Sequence, residues 1–133
     1  TTKSNLNTGQ GMYTLVSSAT AAHYNWGDNC DGWVLANSDP LLIIEEFMPA
    51  GTAEQRHYHS RARQFFYVLD GWLTMEIEGH LYKVPARQGI EIPPLVSHQA
   101  RNDERSGVTF LVISTPTSRG DRTIALPNQD QIT

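Results

Sequence analysis

The chain has 133 residues, 39% of them hydrophobic and 18% charged, a balance typical of one globular domain. The net charge is -4 and the ten basic residues form no run, which argues against a nucleic-acid partner and against a polybasic membrane anchor. The single cysteine, Cys30, excludes an internal disulfide, and no apolar stretch is long enough to span a bilayer. We therefore expect a cytoplasmic protein that binds neither nucleic acid nor membrane.

Polar ends and a β-rich centre divide the chain. Residues 1–11 predict a flexible N-terminal arm, and residues 118–133 predict a polar C-terminal tail. Residues 12–117 predict one barrel domain, because short apolar or alternating runs recur there between Gly, Pro, Asn and Asp. The predicted strands are residues 12–16, 32–35, 41–48, 64–69, 72–78, 81–84, 90–92 and 108–114. No segment has the periodicity of a capped helix, so the fold class is all-β with little helix, a sandwich or a barrel.

Two short turn sequences separate the central strands. Asp70-Gly71 predicts a two-residue hairpin, and Gly79-His80 predicts a second turn. His80 in that turn and His23 in a polar segment are expected at the surface, as is Glu91 between two isoleucines. The expected core consists of Cys30, Phe66, Val68, Leu73, Met75, Ile77, Phe110 and Val112.

The histidines indicate a metal site. Four of the five lie within residues 51–102, and His57 and His59 are separated by one residue. Because residues two apart on a strand face the same side, both imidazoles would enter one space and could share an ion. Further along, a glycine, a short strand and a loop with two prolines bring in a third, His98.

One of two adjacent glutamates is expected inside the barrel. Glu45 and Glu46 interrupt the apolar run of residues 41–48, and neighbours on a strand face opposite sides. The inward one is a candidate catalytic residue, a general base with a raised pKa. The alternative is a solvated residue near a strand end.

The residues around these histidines resemble the two motifs of the cupin (RmlC-like) superfamily. The first motif is matched by Gly51, His57, His59 and Gly71, and the second by Gly89, Pro93, His98 and Asn102. The resemblance is to small single-domain bacterial cupins, and it implies a double-stranded β-helix, or jelly-roll barrel, that forms a homodimer. It also implies one divalent metal ion per chain, held by His57, His59 and His98.

Gln64 stands where the cupin motif usually has an acidic ligand. If Gln64 faces inward, so do Phe66 and Val68, and the amide is either a fourth metal ligand or a group that hydrogen-bonds a ligand. Three imidazoles and an amide leave a divalent ion its full charge, so we hypothesise a substrate that binds the ion as an anion. Leu95 in place of a glycine and Ile90 in place of an acidic residue are expected to adjust turns.

The metal and the reaction stay open among several alternatives. Imidazole and oxygen donors are compatible with Fe, Mn, Ni or Zn. The leading hypothesis is a metal-dependent enzyme that acts on a small anionic organic molecule, with dioxygenase-like cleavage ahead of isomerase or hydrolase chemistry. The alternative is a non-catalytic module that binds or senses a small molecule or a metal, since a fold alone does not decide function.

Overall fold

The structure, a computed structural model, describes residues 11–126. These residues form eleven β-strands and no helix, so none of them belongs to a helix that could cross a membrane. The strands are β1 (Ala22–Trp26), β2 (Cys30–Ser38), β3 (Leu41–Met48), β4 (His57–Tyr58), β5 (Arg63–Asp70), β6 (Trp72–Ile77), β7 (His80–Pro85), β8 (Gly89–Ile92), β9 (His98–Arg101), β10 (Val108–Thr115) and β11 (Thr123–Ile124). The predicted N-terminal arm lies outside the described residues except for Gly11, and so does the end of the predicted tail, residues 127–133.

Two antiparallel sheets enclose one core. The six-stranded sheet has the order β1-β2-β3-β10-β5-β8, and the five-stranded sheet has the order β11-β4-β9-β6-β7. Both sheets contribute fully buried apolar side chains, among them Leu42, Met48, Val68, Leu73, Met75, Ile92, Val108 and Phe110. This arrangement confirms the prediction of an all-β jelly-roll fold.

Alternation along the strands decides which side chains reach the core. On β5, Gln64, Phe66 and Val68 are buried, whereas Phe65 and Leu69 are exposed. β10 shows the same alternation, and its buried residues lie opposite those of β5 in the ladder. Each large apolar side chain buried in this way contributes about 1.5–3 kcal/mol to folding. The prediction that Gln64 faces inward with two apolar neighbours is therefore confirmed.

The two predicted turns have different outcomes. The hairpin prediction at Asp70-Gly71 is wrong, because β5 and β6 belong to different sheets and Gly71 is the corner between them. Gly71 has a φ of 90°, and an added Cβ would lie 2.6 Å from the Gly107 carbonyl oxygen, so the corner requires glycine. β6 and β7 do form a hairpin, and its turn consists of Glu78 and Gly79, both at positive φ.

The N-terminal strand prediction is wrong. Residues 12–16 form no strand, and the apolar side chains of Met12 and Leu15 are 84% and 69% exposed. The first strand is instead β1, in which Ala22, Tyr24 and Trp26 alternate with two polar residues, and which pairs residue by residue with β2. A strand is stabilised by cross-strand pairing, and the apolar pattern of residues 12–16 lacks a partner strand within the described part of the chain.

β11 pairs the C-terminal segment with β4, the strand that carries His57. It lies within the predicted polar tail, yet Thr123 pairs with Tyr58 and Ile124 with His57. The loop between β10 and β11 therefore passes over the end of the barrel where the histidines lie.

Candidate metal centre

Three histidines converge at this end of the barrel, and we call His57, His59 and His98 the histidine cluster. His57 on β4 lies directly opposite His98 on β9 in the ladder, and their ring centroids are 4.6 Å apart. The ring of His59 lies 4.8 Å from that of His57. One potential ligand atom from each residue lies within 4.8 Å of the others, so the cluster could hold a metal ion. All three side chains are buried.

Backbone carbonyls fix the orientation of each imidazole. In every case Nδ1 donates a hydrogen bond to a carbonyl oxygen. The acceptors for His57, His59 and His98 belong to Gln55, Asp121 and Val96, at 2.7, 2.6 and 2.9 Å. With the hydrogen on Nδ1, each Nε2 carries a lone pair. Nε2 of His59 and of His98 is buried without a hydrogen-bond partner among residues 11–126.

Burial keeps the imidazoles neutral. It lowers the pKa of His57 to about 3, with a further effect of the nearby His98, and it lowers the pKa of His98 to about 4. Burial also lowers the pKa of His59, against the hydrogen bond to the Asp121 carbonyl. Three neutral imidazoles whose Nδ1 atoms are held by carbonyls match the way that proteins present histidine to a metal.

The amide of Gln64 is oriented towards the same space. Gln64 lies opposite Ser114 in the ladder, and its Nε2 donates to the Ser114 hydroxyl at 3.0 Å. Its Oε1 is buried and has no hydrogen-bond partner in the described chain. A buried polar atom without a partner costs about 1–3 kcal/mol, and a bound ligand would remove that cost. The neutral nitrogen and oxygen donors therefore fit the divalent ions expected from the sequence.

A cavity of about 270 Å³ opens beside the cluster, and Glu46 reaches into it. Of the two adjacent glutamates, Glu46 is thus the inward one, whereas Glu45 is not among the lining residues. Burial and the nearby charge of Glu54 raise the pKa of Glu46 to about 8. The hydroxyl of Tyr24 donates to the Glu46 carboxyl at 3.4 Å. Burial and the charge of Glu46 raise the pKa of Tyr24 above its usual value.

Sequence reasoning missed two acidic residues of the site. Glu54 lines the cavity, accepts the Ala100 N–H at 2.8 Å, and has a pKa that burial raises to about 7. Its position three residues before His57 was the available signal. Asp121 is buried, and its carboxylate accepts the N–H groups of residues 60–62 at 2.9 to 3.0 Å. Nothing in the local sequence around Asp121 indicates this role.

The remaining histidines and Glu91 lie at the surface, as expected. His80 is exposed at the start of β7, and Glu91 pairs with Arg63 at 2.6 Å on the outside of the barrel. His23 lies on β1 rather than in a loop, and its Nε2 is 2.7 Å from the Asp31 carboxylate.

Motif residues that carry no metal-ligand atom connect the segments around the cluster. Leu95, which replaces a usual glycine, has a φ of 70°, and its N–H donates to the carbonyl of His59 at 2.7 Å. A leucine in this left-handed conformation costs about 1–2 kcal/mol. The buried Asn102 donates to the carbonyls of Met48 and Ser106 at 2.9 and 2.8 Å. These residues therefore stabilise the loops from which the histidines extend.

The Cupin domain family model matches residues 43–114, more than half of the chain, so the chain belongs to the cupin family. The curated polyketide synthase CurC of Streptomyces cyaneus is 34% identical over 65 residues, which make up 47% of this chain and 42% of CurC. The match thus spans less than half the length of that curated relative.

Two solved structures illustrate the likeness in fold. The polyketide cyclase RemF from Streptomyces resistomycificus has a TM-score of 0.73 at 17% identity, covering 91% of this chain and 94% of RemF. The nucleoside dehydratase Pac13 from Streptomyces, solved with uridine, has a TM-score of 0.72 at 15% identity, covering 87% of this chain and 92% of Pac13. At these identities the likeness shows the fold.

Proposed function

We propose that this protein is a metal-dependent enzyme that acts on a small organic anion by transferring protons inside the cavity. The observation that carries the proposal is the content of that cavity, where His57, His59 and the Gln64 amide lie together with the Glu46 carboxyl. Burial of a carboxyl group inside a barrel costs free energy. Titratable groups with perturbed pKa values cluster at functional sites.

The ligand set of the proposal is His57, His59 and His98, with Gln64 as the fourth ligand through Oε1. A divalent ion bound there supplies Lewis-acid polarisation of a substrate oxygen. These side chains carry no negative charge, so they leave the positive charge of the ion to an anionic substrate, such as an enolate or a carboxylate. The ion is one of Fe, Mn, Ni or Zn.

Glu46 is the proposed proton carrier. Without a metal ion, burial and the charge of Glu54 raise the pKa of Glu46 to about 8, so the carboxyl can hold a proton and donate it to a substrate atom in the cavity. Once ionised, the same group can accept a proton, and the hydroxyl of Tyr24 stabilises the carboxylate. Glu45, the other candidate from the sequence, is excluded from this role because it does not line the cavity.

Proton transfer replaces oxidative cleavage as the leading reaction class. Two carboxyl groups with raised pKa values, Glu46 and Glu54, suit acid–base catalysis. Two proteins of similar fold, the polyketide cyclase RemF and the nucleoside dehydratase Pac13, are named for cyclisation and dehydration. The homodimer and the cytoplasmic location remain predictions.

Deuterium exchange tests the proposal. Protein loaded separately with each of the four metals is incubated under argon in D₂O with a panel of enolisable carboxylates, β-keto acids and phenolic β-diketones. We expect deuterium incorporation above background by NMR, and a loss of about 100-fold or more in Glu46→Gln. Glu45→Gln is the matched control on the same strand and should retain the wild-type rate.

The other outcomes identify the competing functions. Turnover that requires oxygen and is unaffected by Glu46→Gln would replace proton transfer with dioxygenase chemistry. Saturable binding of panel members without exchange or product, in air and under argon, would indicate a non-catalytic binding module instead.

A further inference from the structure

Two arginines border the cavity on the loop between β10 and β11. Arg119 and Arg122 both line the cavity and are exposed to solvent, so they lie at its mouth. Between them, the carboxylate of Asp121 accepts three backbone N–H groups from residues 60–62. The carbonyl of Asp121 accepts the Nδ1 hydrogen of His59 at 2.6 Å. The loop that carries the arginines is therefore anchored to the histidine cluster.

Neither arginine has an acidic side chain within ion-pair distance among residues 11–126. Arg63 and Arg101, on the outside of the barrel, each pair with a carboxylate at 2.6 Å. Arg119 and Arg122 form no ion pair within residues 11–126, although Glu46 lines the same cavity. A guanidinium at a cavity mouth without a counter-ion attracts anions, and the cavity geometry concentrates that attraction.

A backbone carbonyl sets the direction of one guanidinium. Nη2 of Arg122 donates to the Gln55 carbonyl at 3.2 Å, and the same oxygen accepts the Nδ1 hydrogen of His57 at 2.7 Å. This shared acceptor places the positive charge beside the histidine cluster. A guanidinium has five N–H donors, so this bond leaves the others for a ligand.

Two carboxyl groups, those of Glu46 and Glu54, line the same cavity as the arginines. Burial raises the pKa of Glu46 to about 8 and that of Glu54 to about 7, which reduces the negative charge that these groups hold against an anion at pH 7. Within the described residues, the arginine and lysine side chains that line the cavity are those of Arg119 and Arg122 alone.

We infer that Arg119 and Arg122 form an anion subsite at the mouth of the cavity, which binds a carboxylate or phosphate group of the substrate. The planar guanidinium fork matches either group with paired hydrogen bonds. The rest of the substrate extends towards the histidine cluster, where its reacting end lies. The substrate class is therefore a short molecule with an oxyanion at one end and a second oxygen function at the other. This inference rests on the proposed function only in taking the cavity as the substrate site.

Three small molecules test the subsite. Glutarate, butyrate and 4-phosphonobutyrate share a short chain with one carboxylate and differ in the group at the far end. Their binding to zinc-loaded protein is measured by isothermal titration calorimetry, with the zinc content of every sample determined. We expect the wild type to bind glutarate or 4-phosphonobutyrate at least about tenfold more tightly than butyrate. The tighter of the two identifies the oxyanion as carboxylate or phosphate.

Substitution of the arginines should remove this preference. Arg119→Gln and Arg122→Gln should each reduce it by about threefold or more, and the double variant should abolish it. Arg122→Lys should retain part of it. Arg105→Gln, an exposed position between β9 and β10, is the matched control and should retain all of it. Thermal unfolding checks that each variant is folded; Arg119 makes no side-chain hydrogen bond within the described residues, so its variant is the least disruptive.

Absence of a preference in the wild type, or its survival in the folded double variant, would overturn the inference. The titrations are repeated after removal of the metal with a chelator. The arginines do not depend on the ion, so the difference between the wild type and the double variant should persist there. If the protein does not retain a metal, or if Glu46→Gln does not slow the exchange, the proposed function is wrong. The binding preference still tests the anion subsite in that case.

Discussion

Two groups of buried polar side chains lie on neighbouring strands of the five-stranded sheet, and they differ in whether their hydrogen bonds are satisfied. Arg56, directly before β4, donates to both carboxylate oxygens of Glu76 on β6, at 2.7 and 3.1 Å. Glu76 also accepts the Gly79 N–H at 2.6 Å. In the histidine cluster, by contrast, Nε2 of His59 and of His98 lacks a partner in the part of the chain that the structure describes.

The difference separates a structural group from a ligand-binding one. Burial alone would raise the pKa of Glu76, but the hydrogen bonds from Arg56 and Gly79 outweigh it and the pKa lies below its usual range. That pair is complete without a ligand. Most buried polar atoms in folded proteins are satisfied, so lone pairs left open together in one place indicate an absent partner atom. At the site, the atoms that lack a partner within the described chain are two imidazole nitrogens and the Gln64 amide oxygen, and each has a lone pair. A metal ion accepts such lone pairs, so a metal ion is the partner we propose.

Removal of one imidazole should have the largest effect. We expect His57→Ala and His98→Ala each to reduce bound zinc from about one ion per chain to below about a tenth, because the loss of one of three converging imidazoles leaves the ion an incomplete ligand set. Elemental analysis after gel filtration measures the content. Full zinc retention by either variant would show that the open lone pairs are not the metal ligands.

Removal of Arg56 should destabilise the fold without acting on the metal site directly. Arg56→Leu leaves Glu76 buried without its counter-ion, which costs about 3–5 kcal/mol in the free energy of unfolding. Urea denaturation of the metal-free protein measures this cost. Arg63→Leu is the control, since its ion pair with Glu91 is half exposed and its loss should cost less than about 1 kcal/mol. Equal effects of the two substitutions would contradict the structural role of the buried pair.

The stability of the metal-free protein should be highest at mildly acidic pH, between about pH 4.5 and pH 6.5. The pKa of His57 falls from 6.5 to about 3 on folding, so below pH 6.5 the unfolded state binds more protons and stability decreases as the pH falls. The pKa of Glu46 rises from 4.5 to about 8, so its contribution is complete below pH 4.5 and is lost as the pH rises towards 8. Between about pH 4.5 and pH 6.5 the two effects oppose each other, so we expect a plateau there, with stability falling below it through His57 and above it through Glu46.

Urea midpoints from pH 3 to pH 9 measure this profile. Glu46→Gln should reduce the loss of stability above pH 6.5, and it should let stability rise between pH 4.5 and pH 6.5, where the contribution of the imidazole is then unopposed. A profile that rises steadily to pH 9 in the wild type would show that Glu46 does not titrate as described.

Much of the fold could be predicted because its strands follow the alternation of apolar residues. β3 begins and ends at the predicted residues, Leu41 and Met48, and the buried residues of β5 and β10 are those that the pattern predicts. The errors arose where pairing with a neighbouring strand, rather than local composition, determines whether a segment forms a strand. β1 is only five residues long but has a partner strand, whereas residues 12–16 have none among the described residues. The role of Gly71 as a corner depends on which sheet each neighbouring strand joins.

The site was predictable only where its residues lie in motifs. His57, His59, Gln64 and His98 stand at motif positions, and the structure brings these four side chains to one end of the barrel. Several other lining residues lie outside the motifs, on β1 and in the loop before β11. Tyr24, Arg119 and Arg122 reach the cavity only through tertiary folding, and no local pattern marks them.

Removal of a surface histidine should have the smallest effect. His80 is exposed at the start of β7, and its ring is not among the groups that converge on the histidine cluster. We expect His80→Ala to retain the full zinc content and a wild-type urea midpoint, because substitutions at exposed positions usually change stability by no more than about 0.5 kcal/mol. Loss of zinc from His80→Ala would mean that imidazole content, and not the buried open lone pairs, determines metal binding.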